Sequence, residues 1–309
     1  MHADLGLRIA IKRLVVCGMG GSAFPAELLK LNLWPDVSKI EVFRGYSPPS
    51  GVLDSESLAV VSSFSGNTEE TLSCYARARS LGGPMVAMTS GGELERLALL
   101  DEVPLIRLPR PWETFQPRAA TGMFVGALSA LCDVTGLAAG LRRDLFEVSA
   151  SLREFNLDQA MLDAAVRTCS GRIPLFLACG PRYAPLAKVA KIKINENAKM
   201  AAFWNYLPEM NHNELEGFTT SPRSIVACVL EKPNCSPPMQ RRIRATLKTL
   251  ASLGVPVVRV PSWNTHPLTH AFTQLLFVDH LSLGLAAHNG VEPNPVPTIE
   301  SFKALLTQE

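Results

Sequence analysis

Small hydroxyl residues cluster in one short stretch, between an apolar run and a helical pattern. The run at 58–61 is typical of a buried parallel strand, and the pattern at 71–81 is typical of a helix. The polar residues between them are Ser62, Ser63, Ser65, Gly66, Asn67 and Thr68. A helix N-terminus that follows a strand offers free N–H groups and a favourable dipole to an anion, and hydroxyl groups add donors. The stretch therefore predicts a phosphate cradle.

The simplest alternative for this stretch is an ordinary helix N-terminus. Asn67 would be the capping residue, and Glu70 lies three residues later, as in a capping box. One cap accounts for one or two polar residues. It does not account for Ser63, Ser65 and Thr68 together, so the sequence favours the phosphate cradle.

A second polar stretch lies in the otherwise apolar C-terminal half. Glu196 follows an amphipathic helical pattern and is flanked by two asparagines, and His212 lies between two more. A carboxylate and an imidazole are the usual groups of general acid–base catalysis, and asparagine positions its neighbours without neutralising them. A solvated loop with helix caps explains the same residues equally well, so both interpretations stay open at this point.

Both stretches belong to a repeating pattern of strands and helices. Apolar runs predict strands at 14–17, 40–43, 58–62, 85–89, 103–108, 173–180, 225–230 and 257–260. Helical patterns are found at 24–31, 71–81, from Glu93 onward, and at 119–131, 142–169, 185–197, 240–253, 268–288 and 298–306. Such alternation indicates βαβ units and parallel sheets that are covered on both faces.

The pattern occurs twice, which predicts an α/β protein with a duplicated, doubly wound architecture. The first half spans residues 1–150 and the second spans 151–309, and each is opened by a strand and a glycine turn. Ligands of doubly wound sheets bind at the carboxyl ends of the strands. Because the hydroxyl cluster directly follows the third strand, it lies at such an end.

A glycine-rich turn at 18–22 follows the first predicted strand. It differs from the dinucleotide fingerprint G-x-G-x-x-G because the final spaced glycine is missing. The acidic residue expected near the end of the second strand is also misplaced, since Glu41 lies at the start of that strand. The sequence thus argues against nucleotide binding. It leaves a turn in which Gly21 lets the backbone approach a phosphate and Ser22 donates a hydrogen bond.

Composition excludes several classes of protein. The 309 residues suffice for two domains, and a formal net charge of +2 argues against a dedicated nucleic-acid binder. The seven cysteines include no CxxC pair, so we expect buried free thiols in a reducing compartment. Neither a signal peptide nor an apolar segment long enough to cross a bilayer is evident. We expect a cytoplasmic protein that binds neither nucleic acid nor membrane.

His266 and His270 have the i, i+4 spacing of a metal-binding pair. Pro267, however, marks the start of a helix, which would leave His266 outside it. No glutamate follows His266, as a metalloprotease motif would require. We interpret both residues as histidines at a helix start and predict no metal site.

Six motifs occur in order along nearly the whole chain. They are Gly-Met-Gly-Gly-Ser at 18–22, Ser-Phe-Ser-Gly-Asn-Thr at 63–68, Thr-Ser-Gly-Gly at 89–92, Pro-Arg-Ala-Ala at 117–120, Asn-Glu-Asn-Ala-Lys at 195–199 and Pro-Glu-Met-Asn-His-Asn-Glu at 208–214. Together they resemble the motifs of the bifunctional phosphoglucose/phosphomannose isomerases, which belong to the sugar isomerase (SIS) superfamily. The serine-rich motif marks only the superfamily, whereas the last two motifs are much more specific.

The resemblance implies a fold, a reaction and a phosphate site. The fold would be two SIS-type doubly wound αβα subdomains with parallel sheets. The reaction would interconvert glucose 6-phosphate and mannose 6-phosphate with fructose 6-phosphate through a cis-enediol, without a metal or a cofactor. The residues implied to bind the substrate phosphate are Gly21, Ser22, Ser63, Ser65 and Thr68.

The resemblance also implies roles at the reacting end of the sugar. Arg118 would stabilise the enediolate, and Glu196 would move the proton between C2 and C1. His212 would open the pyranose ring from the partner subunit of a homodimer, and Lys303 would take part in ring opening. Asn294 stands where a threonine is expected in many relatives, and tolerance of both C2 epimers depends on small hydroxyl residues near C2.

Two alternatives to this function stay open. An isomerase of another sugar phosphate would share the fold, and a non-catalytic sugar-phosphate sensor would keep the cradle. A sensor has no need of Glu196 or His212, which favours an enzyme.

Overall fold

The chain divides into two compact units, residues 1–150 and 151–309, in a computed structural model that describes residues 10–48, 51–232 and 234–306. Five parallel strands form the sheet of the first unit, in the order β2-β1-β3-β4-β5. They are β1 (Arg13–Gly18), β2 (Ile40–Phe43), β3 (Ser57–Ser62), β4 (Met85–Thr89) and β5 (Leu105–Arg107). The helices up to and across the boundary are α1 (Phe24–Leu29), α2 (Glu69–Leu81), α3 (Gly92–Leu100), α4 (Thr121–Val134) and α5 (Leu141–Glu154).

The central strand β3 is buried at every position, because both faces of the sheet are covered. On one face, α2 and α3 pack against β3 and β4 in a cluster that includes Tyr75, Ala78 and Leu94. Strand order reverses between β1 and β3, whose last residues, Gly18 and Ser62, lie in register. In a doubly wound sheet this reversal leaves a crevice at the carboxyl ends of the two strands.

Four parallel strands form the sheet of the second unit, in the order β7-β6-β8-β9. They are β6 (Ile173–Cys179), β7 (Phe203–Leu207), β8 (Ile225–Leu230) and β9 (Val257–Val260). The helices are α6 (Gln159–Cys169), α7 (Ala184–Lys193), α8 (Glu214–Gly217), α9 (Pro237–Leu253), α10 (Pro267–His288) and α11 (Pro297–Leu306). The two parallel sheets with their interspersed helices confirm the predicted α/β class and its doubly wound halves.

Two local predictions are wrong. The helical pattern at 142–169 is interrupted, because Asp158 ends the intervening turn and its side chain accepts a hydrogen bond from Met161 N at 3.0 Å, which starts α6. Strand β7 was not predicted. It is an edge strand with Phe203 58% and Trp204 37% exposed, so it lacks the continuous burial of the central strand β3.

Six of the seven cysteines are buried, as predicted, and Cys235 is partly exposed. Within the described residues, no helix combines the length and the hydropathy that a membrane crossing needs.

His266 and His270 have separate contacts at the start of α10. The helix begins at Pro267, so His266 lies outside it, as predicted, and its Nδ1 accepts a hydrogen bond from Thr269 N at 3.4 Å. His270 is 1% exposed, and its Nδ1 lies 3.1 Å from Ser262 Oγ. Its ring packs edge-on against Tyr183, with 5.2 Å between ring centres. Each ring therefore has a structural role of its own.

Burial lowers the pKa of His270 to about 4. Because this value lies below the unfolded value of about 6.5, the neutral ring contributes full stability above pH 6.5 and loses it as the pH falls toward 4. We expect a pH change from 7.5 to 4.5 to lower the free energy of unfolding by roughly 2 kcal/mol more in the wild type than in His270→Gln. Urea unfolding at the two pH values measures this difference, and equal losses in the two proteins would contradict it.

Candidate functional site

The hydroxyl cluster forms the turn between β3 and α2. Ser63 Oγ lies 2.9 Å from Thr68 Oγ1 and 3.5 Å from Ser65 Oγ. Backbone groups of the same turn hold the serines, since Gly66 N donates to Ser63 Oγ at 3.1 Å and Asn67 N donates to Ser65 Oγ at 3.3 Å. Three hydroxyl groups thus converge at a helix N-terminus, which is the arrangement that favours an anion.

Asn67 does not cap α2, so the capping-box alternative is wrong. The helix begins at Glu69, and its N-cap is Thr68, whose side chain makes no capping hydrogen bond. Asn67 Oδ1 instead accepts a hydrogen bond from Glu93 N at 2.9 Å. The asparagine therefore joins this turn to the first turn of α3, and the hydroxyl groups are not explained by helix capping.

The backbone of this turn packs directly against the backbone of the loop that follows β4. Gly66 has φ +74°, and a Cβ built on it would lie 1.8 Å from Gly91 O. Gly92 has φ +76°, and a Cβ there would lie 2.3 Å from Ser65 O. Leu94 N donates to Gly66 O at 2.9 Å. Only glycine fits these contacts without displacing the neighbouring backbone.

Ser22 links the first glycine turn to the hydroxyl cluster. It ends a single 3₁₀ turn, Gly20–Ser22, and its Oγ accepts a hydrogen bond from Phe64 N at 2.9 Å. Ser62 Oγ donates to Ser22 O at 2.8 Å. The hydroxyl proton of Ser22 remains for a further acceptor, because its Oγ is the acceptor in the bond with Phe64.

Gly21 brings a third loop to this edge of the sheet. A Cβ on Gly21 would lie 2.8 Å from the carbonyl carbon of Pro117 and 2.9 Å from Arg118 N. Arg118 lies in a 3₁₀ turn, Pro117–Ala119, and is only 4% exposed. A guanidinium keeps its charge when it is buried, so Arg118 places a permanent positive charge within the first unit.

A second arginine lies beside the cluster, and no sequence motif pointed to it. Arg110 Nη2 donates to Ser90 Oγ at 2.9 Å, and its guanidinium carbon lies 5.2 Å from the centre of the Phe64 ring. Ser90 Oγ in turn donates to Phe64 O at 2.8 Å. Arg110 lies between β5 and the Pro117–Ala119 turn. This segment has no regular hydrophobic pattern from which the contact could be predicted.

Glu196 lies in a π-helical turn, Ile194–Ala198, that continues α7. Turns of this kind are rare in proteins as a whole, but those that do occur are often found at functional sites. The flanking asparagines hold the backbone, because Asn195 Nδ2 donates to Met200 O at 2.8 Å and Asn197 Nδ2 donates to Ser282 Oγ at 2.8 Å. Glu196 is partly exposed. The polar stretch is therefore an anchored turn rather than a solvated loop.

His212 ends a 3₁₀ turn, Glu209–His212, that follows β7. The asparagines on either side of it make side-chain hydrogen bonds within the chain. Asn211 Nδ2 donates to Thr246 Oγ1 at 2.9 Å, and Asn213 Nδ2 lies 3.4 Å from Glu209 Oε1. His212 itself is exposed, and it has no hydrogen-bond partner among the residues that the structure describes.

The structure places Glu196 and His212 at opposite ends of β7. Helix α7 runs back from the carboxyl end of β6, so the π-helical turn lies near the amino ends of the strands. His212 follows the carboxyl end of β7, which pairs in parallel with β6 from Phe203 to Leu207. At about 3.3 Å per residue, β7 separates the two side chains by roughly 16 Å. They do not meet within one chain.

Lys303 lies on α11 and is exposed. Its Nζ donates to Glu300 Oε1 at 2.8 Å, an i, i+3 ion pair between two solvated side chains. The same helix exposes four large apolar residues: Ile299, Phe302, Leu305 and Leu306.

Comparison with known proteins decides the family. A family model described as "Bacterial phospho-glucose isomerase C-terminal SIS domain" matches residues 163–306. The bifunctional phosphoglucose/phosphomannose isomerase of Caldicellulosiruptor bescii is 31% identical over an alignment 312 residues long, which covers 96% of this chain and 90% of that protein. The chain belongs to the bifunctional phosphoglucose/phosphomannose isomerase family. The resemblance carried by the six motifs is thereby confirmed.

The isomerase family shares its fold and part of its sequence with other proteins. The D-glucosamine-6-phosphate 4-epimerase of Sulfolobus acidocaldarius is 31% identical over 211 residues, which is 68% of this chain and 65% of that protein. A crystal structure of a glucose-6-phosphate isomerase from Chlamydia trachomatis superposes with a TM-score of 0.72 at 14% identity, covering 97% of this chain and 69% of that one. This likeness concerns the fold alone. With the matched SIS domain, it confirms the SIS-type fold.

Gly66 and Gly82 provide a matched test of the contact between the two loops. Both have φ near +70°, but a Cβ on Gly82 meets no atom within 4 Å. We expect Gly82→Ala to lower the free energy of unfolding by about 1–2 kcal/mol, the cost of a left-handed alanine. We expect Gly66→Ala to cost about 1–3 kcal/mol more, because the backbone at Gly91 must move. Urea unfolding measures both variants, and similar losses would rule out the proposed tight contact.

Proposed function

We propose that this chain is an aldose–ketose isomerase that interconverts glucose 6-phosphate and mannose 6-phosphate with fructose 6-phosphate. Membership of the isomerase family supports this reaction class. The observation that carries the proposal is the position of Glu196 on a π-helical turn that two asparagine side chains anchor. Such a turn holds a carboxylate in a fixed place, as a general base requires.

The substrate phosphate would bind at the hydroxyl cluster. Ser63, Ser65 and Thr68 supply converging hydroxyl groups, and Ser22 has a hydroxyl proton to donate. Gly21 would allow a phosphate oxygen to approach its N–H group, since it has no side chain. The phosphate is remote from the reacting carbons, so its binding energy would serve to position them.

Glu196 would carry out the proton transfer. Its carboxylate would take the proton from C2 of the open-chain aldose, so that the C–H electrons form the C1–C2 double bond and the C1 carbonyl oxygen becomes the oxyanion of an enediolate. Transfer of the O2 hydroxyl proton to O1 would move the negative charge to O2. Return of the first proton from Glu196 to C1 would then form the C2 carbonyl group and complete the ketose. The permanent charge of Arg118 would stabilise the enediolate. The transfer is redox-neutral within one substrate, so we propose that it needs neither metal nor cofactor.

His212 would open the pyranose ring at the site of a second copy. Its distance from Glu196 within one chain and its exposure both support an action on another subunit. Lys303 would assist ring opening from α11, whose exposed apolar residues favour contact with another surface. We therefore propose a cytoplasmic homodimer with sites completed across the interface.

Replacement of the base tests the reaction. We expect Glu196→Gln to lower turnover of glucose 6-phosphate and mannose 6-phosphate by at least about a hundredfold, because the amide cannot accept the C2 proton. Binding of sorbitol 6-phosphate, which has no carbonyl group, should stay close to that of the wild type. Coupled assays in EDTA measure turnover, and calorimetry measures binding. The control is Glu216→Gln, at an exposed position.

Four outcomes would contradict the proposal. Near-normal turnover by Glu196→Gln would exclude this residue as the base. Loss of wild-type activity in EDTA would exclude the metal-free reaction. Inactivity toward both sugars would favour an isomerase of another sugar phosphate or a sensor that binds without turnover. Epimerisation of glucosamine 6-phosphate at C4, the activity named for one relative, would move the chain to that reaction class.

A purified heterodimer tests the shared site. We expect dimers of Glu196→Gln alone and of His212→Ala alone to be inactive. A heterodimer with one subunit of each kind should recover about half of the wild-type activity, because one of its two sites then has both native residues. An inactive heterodimer would show that Glu196 and His212 act within the same chain, contrary to the proposal.

A further inference from the structure

The ammonium group of Lys199 binds main-chain carbonyl oxygens from two separate segments. Its Nζ donates to the carbonyl oxygen of Glu196, in the π-helical turn. It also donates to Pro293 O at 3.1 Å and to Pro295 O at 2.6 Å, in the loop between α10 and α11. A lysine ammonium has three N–H donors, so three carbonyl groups match its capacity.

The backbone of Lys199 is also unusual. It is the C-cap of the π-helical turn and has φ +55° and ψ +31°, the left-handed conformation. This conformation costs a residue with a Cβ about 1–2 kcal/mol and is usually left to glycine. A lysine is retained here although glycine would fit the backbone more easily. The hydrogen bonds of its ammonium group explain why this position has a lysine side chain.

The loop that Lys199 holds contains two prolines whose carbonyl oxygens it binds. Pro293 and Pro295 have no N–H group, so neither can donate a backbone hydrogen bond. Their carbonyl oxygens accept from Lys199, and Asn289 Nδ2 donates to Ala198 O at 3.2 Å near the start of the same loop. These three bonds tie the loop to the C-terminal side of the turn that contains Glu196.

We propose that Lys199 is a positioning residue for Glu196. Its ammonium group clamps the π-helical turn to the 293–295 segment, so that the carboxylate of Glu196 keeps one orientation during both proton transfers. Lys199 acts through the backbone of Glu196 and has no direct role toward the sugar. This role rests on the proposed isomerase function. A displacement of about 1 Å at a reacting group is enough to lower turnover by up to about a hundredfold.

Three variants separate the ammonium group from a general structural effect. We expect Lys199→Met to lower kcat for glucose 6-phosphate by about tenfold to a hundredfold, with KM changed by less than about twofold. The deuterium isotope effect on kcat for substrate labelled at C2 should rise, because proton abstraction becomes slower than the other steps. Lys199→Arg should recover part of kcat, since it keeps the charge. Lys248→Met, at an exposed position on α9, should match the wild type.

Hydrogen exchange tests the clamp without reference to activity. In Lys199→Met, we expect the amides of 195–198 and those of Asn294 and Val296 to exchange faster together than in the wild type. Melting temperatures within a few degrees of the wild type would show that the variant is folded. If the wild type does not isomerise either sugar, the proposed function fails, and the exchange result still decides whether the clamp exists.

Two results would overturn the inference. One is an unchanged kcat and isotope effect in Lys199→Met while the wild type is active. The other is unchanged exchange in both segments, which would mean that the ammonium group does not hold them together.

Discussion

The turns at the carboxyl edge of the first sheet are in contact through their backbones, and this constraint sets the geometry of the hydroxyl cluster. Gly66 fits against Gly91, and Gly21 fits against the Pro117–Arg118 peptide, at distances that exclude a Cβ. Since no side chains separate these turns, Ser22 lies within hydrogen-bonding distance of Phe64 N, beside the hydroxyl cluster. The buried Arg118 is positioned by the same close packing.

The second unit holds Glu196, the proposed base, by a different means. Side-chain donors, rather than glycine contacts, hold the π-helical turn of Glu196. Asn195, Asn197 and Lys199 each satisfy an acceptor outside their own backbone, and together they fix the turn from both sides. A cradle for a polyvalent anion needs several donors at one point, whereas a base needs one oriented carboxylate. In the proposed enzyme, the two units would thus meet different chemical demands with different local structures.

Much of the fold was predictable because it depends on apolar runs. Strands such as β3 are buried on both faces, and a continuous hydrophobic run signals that burial directly. Strand β7 was not predicted, because Asn205 interrupts the apolar residues of its sequence after Phe203 and Trp204. The π-helical turn was not predicted either, because α-helical and π-helical turns are formed by the same types of residue. The actual contact of Asn67 could not be predicted, because its partner, Glu93 N, is distant in sequence and becomes a neighbour only in the folded sheet.

The placement of Glu196 and His212 at opposite ends of β7 has a consequence for the enzyme in solution. In the proposed homodimer, no single chain would bring a complete set of reacting groups together in one site. Catalytic competence would then follow the monomer–dimer equilibrium, and specific activity would depend on protein concentration. Dilution below the dissociation constant of the dimer would switch the reaction off without unfolding either subunit. Sugar phosphate bound across the interface would oppose that dissociation, so substrate would stabilise the assembly that consumes it.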